Sequence, residues 1–189
     1  EELFDTDSGS LDTDKDGYFD GQEVYNLYNP KGTAPVKIID SGLVLEYVNP
    51  VTKYRAYYPL TWQVGTVDTV GNHVLFSNLD GDYIEVRTFD KAASTNFIEW
   101  FSANIKGQRV TDLVTFENQF EVDGWKRRDD LVAYFVEDTK VYVVIFHPAE
   151  LGPLSYRQVM KMFVQSFRLS TTDVVLPDQL VVPGARSSE

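Results

Sequence analysis

Three observations in this chain predict an α+β fold. Short apolar runs bounded by turn residues crowd its first half, helical apolar spacing arises at two places only, and two late segments are apolar on both faces. The late pair, Leu131–Val136 and Val141–Phe146, reads as central strands covered on each side. Strands that are followed by helices, with a sheet buried on both sides, imply an antiparallel sheet with helices packed on both faces, an α/β/α sandwich. At 189 residues the chain is long enough for one domain of ordinary size plus a small appendage.

The first eleven residues have no amphipathic period and carry Gly and Ser breakers, so no helix is expected there. They lead into Asp12-Thr-Asp-Lys-Asp-Gly-Tyr-Phe-Asp-Gly-Gln-Glu23, which sets acidic oxygens where an EF-hand-like calcium loop needs them. Counting Asp12 as the first loop position, Asp14 and Asp16 take the third and fifth, Gly17 the sharp turn and the Tyr18 carbonyl the seventh. Asp20 and Glu23 take the ninth and twelfth. Ca2+ is a hard cation that wants about 6–8 oxygens at about 2.3–2.6 Å, so a short segment must curl tightly enough to aim alternate side chains inward. Gly17 permits that curl because glycine has no Cβ to clash at positive φ. Without an ion the aspartates repel: at an effective dielectric near 20, two like charges about 4 Å apart cost roughly 4 kcal/mol. An acidic solvated loop is the alternative in an acidic chain, but it requires chance to fill every ligand position.

With its flank Tyr28-Asn29-Pro30-Lys31-Gly32, this run resembles the bacterial form of the thrombospondin type 3 calcium repeat over roughly the first thirty residues. The resemblance implies Ca2+ held by Asp12, Asp14, Asp16, Tyr18 through its backbone, Asp20 and Glu23. Asp5-Thr-Asp-Ser-Gly9 looks like a degenerate preceding repeat, with Gly9 where a third acidic residue is expected, so Asp5 or Asp7 could ligate a weaker second ion.

Residues 31–42 read as a short, stiff linker, broken by Pro35, Gly32 and Gly42, between the calcium segment (1–30) and an α+β domain (43–169). On that division, replacing Asp14 and Glu23 leaves the domain folded. Within the domain, Leu43–Val48 and Tyr54–Pro59 form a hairpin across Asn49-Pro50. Thr61–Val64, His73–Ser77 and Tyr83–Phe89 follow as strands, with a turn at Asp80-Gly81. Ser94–Ile105 switches to helical spacing, with Phe97, Ile98, Phe101 and Ile105 on one face, Ser94, Thr95 or Asn96 as cap and Gly107 as stop. Val110–Phe116 and Gln119–Arg127 read as two further strands, and Glu137–Lys140 turns between the central pair. A last helix, Ser155–Arg168, opens on a Ser-x-x-Gln capping box and aligns Tyr156, Val159, Met160, Phe163, Val164 and Phe167 as a core face. Residues 170–189 form a tail that frays or docks as an extended segment.

This order of elements, the Tyr57-Tyr-Pro-Leu-Thr-Trp62 segment and the closing Met160-Lys-Met-Phe-Val-Gln-Ser-Phe167 helix resemble the PsbP-like fold over about 125 residues. That group holds photosystem II extrinsic subunits, a Ran-binding import factor and bacterial envelope lipoproteins. The resemblance implies a non-catalytic binding or assembly role with a protein partner, and it brings no catalytic set.

The formal charge is −12, of which residues 1–30 carry −8 from nine Asp/Glu and one Lys. Such a balance disfavours nucleic acid and anionic lipid, which both require basic patches. No apolar run reaches the roughly 18 residues of a membrane span, and Glu1-Glu-Leu-Phe4 is not a signal peptide, so any anchor is expected upstream. With no cysteine, thiols do not report the compartment. The calcium loop does, because extracellular modules bind at about 10⁻⁴–10⁻³ M. A secreted, cell-surface or bacterial-envelope location is expected.

The α+β domain offers little chemistry. His73 and His147 lie outside metal-ligand spacings and read as structural, and no Gly-x-Ser-x-Gly elbow or phosphate-cradling glycine motif is present. Carboxylate pairs such as Glu117 with Glu121, or Asp129 with Asp130, read as solvated faces in a chain with 29 acidic residues. Trp62, Trp100, Trp125 and Tyr57-Tyr58 could line a pocket, but aromatics more often fill the core. The expected function is therefore a calcium-binding, non-catalytic extracytoplasmic protein whose Ca2+ rigidifies the segment beside a protein-binding domain. Alternatives are an envelope protein holding a small apolar ligand, or a hydrolase using carboxylates.

Overall fold

Alternation of apolar side chains builds two cores on opposite sides of one sheet. The computed structural model describes residues 2–32, 36–149 and 156–178. Strands β1 (Val44–Val48) and β2 (Arg55–Pro59) form a separate antiparallel hairpin. The main sheet comprises β3 (Gln63–Thr66), β4 (His73–Ser77), β5 (Tyr83–Asp90), β6 (Leu113–Glu117), β7 (Asp123–Arg127), β8 (Val132–Val136) and β9 (Lys140–His147). They run in the order β3-β4-β5-β9-β8-β7-β6, each antiparallel to its neighbour. The class is α+β with an antiparallel sheet and few helices. β9 lies at its centre, as its doubly apolar pattern requires.

Successive strand residues point to opposite faces. Tyr142, Val144 and Phe146 of β9 join Ala133 and Phe135 of β8 in a large core under helix α3 (Arg157–Ser166). There the Phe135 ring stacks on Phe167 with centroids 4.3 Å apart, and Phe163 meets Phe76 edge-on at 4.9 Å. Val141 and Val143 join Val132 and Tyr134 in a smaller core under helix α2 (Phe97–Asn104). Phe97 stacks there on Trp125, 4.1 Å away.

Several details differ from the sequence expectation. Asn96, one of the three expected caps, caps α2, which therefore starts at Phe97 and not at Ser94. The Asn96 side chain accepts from Glu99 N–H while the Glu99 carboxylate accepts from Asn96 N–H. The buried face of α2 is Phe97, Trp100 and Phe101, while Ile98 is 57% exposed. Two turns of helix fit either stripe, and the larger indole wins the core. Strand β3 starts later than expected because Trp62 N–H donates to Pro59 O in a turn that buries the indole. β7 is shortened by Asn118, whose Oδ1 accepts from Phe120 N–H and Val122 N–H and shapes a loop instead of a strand. Before β6, Val110–Asp112 forms a 3-10 turn. Helix α3 begins at Arg157, and Ser155 of the expected capping box lies outside the described residues.

The N-terminal region joins the larger core. A short helix α1 (Asp20–Tyr25) follows the acidic loop, and Phe4, Val24, Leu27 and Ile38 are buried in the same cluster as Val159, Met160 and Phe163 of α3. Ile38 opens a 3-10 turn, Ile38–Ser41, within the expected linker. Leu176 in the tail is buried as well, and Tyr28 hydroxyl donates to Pro177 O at 2.6 Å. Residues 179–189 lie outside the described set.

Candidate metal centre

The acidic loop is wound by its own carboxylates. Asp12 Oδ1 accepts from Lys15 N–H at 2.7 Å and Oδ2 from Gly17 N–H at 3.0 Å. Asp14 Oδ1 accepts from Asp16 N–H at 3.1 Å, and Asp16 Oδ1 from Tyr18 N–H at 2.9 Å. These short side-chain-to-backbone bonds are what aspartate offers a turn. Gly17, at φ 101°, takes the left-handed corner expected of it, and Leu11 O accepts from Asp20 N–H to close the loop.

The curl brings Asp12, Asp14 and Asp16 together, each presenting a carboxylate oxygen within 4.8 Å of the others. Asp20 is braced instead, its two oxygens accepting from Thr13 N–H and Thr13 Oγ–H at 2.8 Å each. That suits a ninth loop position, which often reaches the ion through water. Tyr18 follows the Gly17 corner, its amide tied to Asp16. Glu23 stands on the first turn of α1 and is 3% exposed.

Electrostatics marks the same spot. Burial, followed by the charges of Asp16, Asp14, Asp20 and Asp12, pushes the Glu23 carboxyl up to about 8. Asp14 is also raised, first by burial and then by Asp16 and Asp12, against a lowering hydrogen bond from the Asp16 backbone. Asp14 Oδ2 and Glu23 Oε2 are buried without any hydrogen-bond partner. Among the described residues, no Lys, Arg or His forms an ion pair with any of these five carboxylates. Two orphaned acceptors among like charges are costly in a folded protein, and oxygens of this kind are what a hard cation accepts.

Asp5 and Asp7 are otherwise engaged. Lys31 pairs with Asp5, and Asp7 Oδ1 accepts from Gly9 N–H. Among the described residues, only Asp12, Asp14 and Asp16 group as metal-ligating side chains. Beside the loop, an open groove of about 1000 Å³ runs between the N-terminal segment, α1 and α3, with Leu11, Phe19, Leu60, Tyr156 and Val159 in its walls. The candidate pocket aromatics do not line it: Trp62, Trp100 and Tyr57 are core residues, and Trp125 is packed on Phe97.

On the sheet, both histidines face one buried carboxylate. His73 Nε2 pairs with Glu85 Oε1 and His147 Nε2 lies 2.9 Å from Oε2, while Arg87 Nε–H donates to Oε1 at 2.6 Å. Sequence spacing could not find this network, because three strands supply it. The orphaned state of Glu23 was equally hidden, although the apolar Val24 and Leu27 behind it signal a half-buried helix.

No known family model and no curated protein matches the chain. Among solved structures, a protein from Bacteroides thetaiotaomicron VPI-5482 is similar at 13% identity with a TM-score of 0.43, covering 66% of this chain. The match spans 47% of that protein's length.

Proposed function

We propose that this chain is a calcium-binding, non-catalytic, extracytoplasmic protein, secreted or held at a cell surface or envelope. In it Ca2+ rigidifies the N-terminal segment beside an α+β domain that binds a protein partner. The observation that carries the reading is the pair of buried, unpartnered oxygens, Asp14 Oδ2 and Glu23 Oε2, facing a carboxylate-rich loop. The ion supplies positive charge and a demand for oxygen ligands. Asp12, Asp14, Asp16 and Glu23 offer carboxylates, Asp20 a braced carboxylate, and Tyr18 a carbonyl. The thrombospondin type 3 resemblance and the EF-hand-like spacing support this assignment, and a helix on each face of an antiparallel sheet is compatible with the PsbP-like resemblance. No helix among the described residues is long and apolar enough to cross a membrane. One architecture hosts unrelated functions, so the partner class rests on the resemblance alone.

Calorimetry of the chelator-stripped protein with Ca2+, beside an Asp14→Ala, Glu23→Ala double variant, tests the proposal. Saturable heat that the variant loses supports it, and equal behaviour of the two proteins refutes it. A second reading, an envelope protein holding a small apolar ligand, draws on the groove beside the loop. Displacement of an apolar dye by fatty acid would favour it.

A further inference from the structure

We infer that the metal loop and the sheet core are one cooperative folding unit, so that Ca2+ at the loop stabilises the central strands along with the loop itself. This rests on the calcium reading above and departs from the separable module that the linker-like spacing suggests. The junction is a single helical turn. Glu23 and Val24 are consecutive residues of α1: the first faces the charges of Asp16, Asp14, Asp20 and Asp12, and the second is 2% exposed in the core under α3. With six residues, α1 is far too short to be stable alone, so the core contacts hold it in place.

The chain beyond α1 is held by local backbone bonds and by one side-chain bond to the domain. Glu23 O accepts from Tyr28 N–H at 2.8 Å, and Leu27 O from Ile38 N–H at 2.8 Å. Asn26 Oδ1 accepts from Gln119 Nε2 at 3.1 Å, across to the loop between β6 and β7. Leu27 itself sits at φ 67°, a left-handed conformation that residues with a Cβ avoid, yet its side chain is 0% exposed. Such a conformation persists only where the surroundings over-determine it. Gly21 faces α3 so closely that a Cβ there would lie 3.3 Å from Gln158 Nε2. The position of the Glu23 carboxylate is therefore set by the same packing that holds α3 on the sheet. Binding linkage is reciprocal, so an ion that requires Glu23 in place favours that packing in return.

The test follows hydrogen exchange at the amides of β8 and β9 in the full chain, with EDTA and with Ca2+, alongside calorimetry on the same sample. These amides belong to the central strands of the sheet, where exchange is expected to require global opening. At a hundredfold excess of Ca2+ over its Kd, their protection is expected to rise about 100-fold, the factor that linkage demands of one folding unit. The rise disappears in Glu23→Gln and Asp14→Asn, two changes of differing burial, so failure of one variant to fold leaves the other to decide. The exposed-pair variant Asp90→Asn retains it. Calorimetric binding with protection confined to residues 5–30 would overturn the inference and leave the calcium reading standing. Absence of binding heat would overturn both.

Discussion

In the metal-free protein, Glu23→Gln is expected to stabilise the fold at neutral pH, although it removes a proposed metal ligand. The Glu23 carboxyl moves from 4.5 to about 8, driven first by burial and then by the four loop aspartates. Below the ordinary value the carboxyl is neutral in both states and the shift has no effect. As pH rises, the unfolded chain gives up its proton while the folded chain keeps it. The folded state is therefore progressively disfavoured until pH passes about 8. Each unit corresponds to about 1.4 kcal/mol, so at pH 7 the handicap is at most roughly 3.5 kcal/mol, less whatever the loop recovers by relaxing. The glutamine keeps the shape and cannot ionise. Urea unfolding in EDTA at pH 5, 6, 7 and 8 should show wild-type stability falling through this range while the variant stays flat. In saturating Ca2+ the order reverses, because the wild type alone offers the ion a full carboxylate. Parallel pH profiles in EDTA, or a variant that is weaker throughout, would refute the argument that Glu23 is an uncompensated buried acid.

Three further outcomes are expected. Glu85 is raised by burial, but hydrogen bonds from Arg87 and His147 and the charges of Arg87 and His73 outweigh that and hold its carboxyl below 4.5. Its stabilisation is full above about pH 4.5 and is lost as pH falls through the lower folded value. Glu85→Gln should cost about 1–3 kcal/mol at pH 7, with a shallower acid limb in a pH series of urea melts. Asn118→Ala strands the N–H groups of Phe120 and Val122 together with the carbonyl of Phe167, and leaves the Val164 carbonyl only its bond from Phe167 N–H. A loss of at least about 2 kcal/mol should appear in the denaturant midpoint. Gly124→Ala would set a Cβ 2.8 Å from the Phe116 ring and 2.9 Å from Tyr134 O, so β7 must shift against β6 and β8. The expected cost is about 1–3 kcal/mol, and an unchanged midpoint would contradict the packing described for that strand.

What the sequence made legible is what is written in neighbouring residues. The curl of the acidic loop could be read because its aspartates and Gly17 follow one another at fixed spacing, and the strands because apolar alternation is local. Helix α2 was legible as a helix but not in its face: Phe97 and Phe101 are shared by two possible stripes, and only the sheet beneath decides between Ile98 and Trp100. The Glu85 network was illegible because β4, β5 and β9 bring His73, Glu85 and His147 together through topology, across sequence gaps with no period. The burial of Glu23 was illegible for the same reason, since α3 lies well over a hundred residues downstream.

On the proposed calcium reading, the weakness of the N-terminal segment as a hydrophobic structure gives the ion its role. Before Val24, Phe4 is the sole buried hydrophobic side chain among the described residues. Fixing each residue's backbone costs about 1–2 kcal/mol, and one phenylalanine contributes about 1.5–3 kcal/mol of burial, so apolar contacts cannot order residues 5–22. The aspartate-to-backbone hydrogen bonds help, but they gather like charges that repel. The proposed divalent cation would turn that repulsion into attraction. Because Glu23, the last proposed ligand, stands on α1, which the core holds in place, the proposed coupling makes order in the loop and order in the sheet depend on each other.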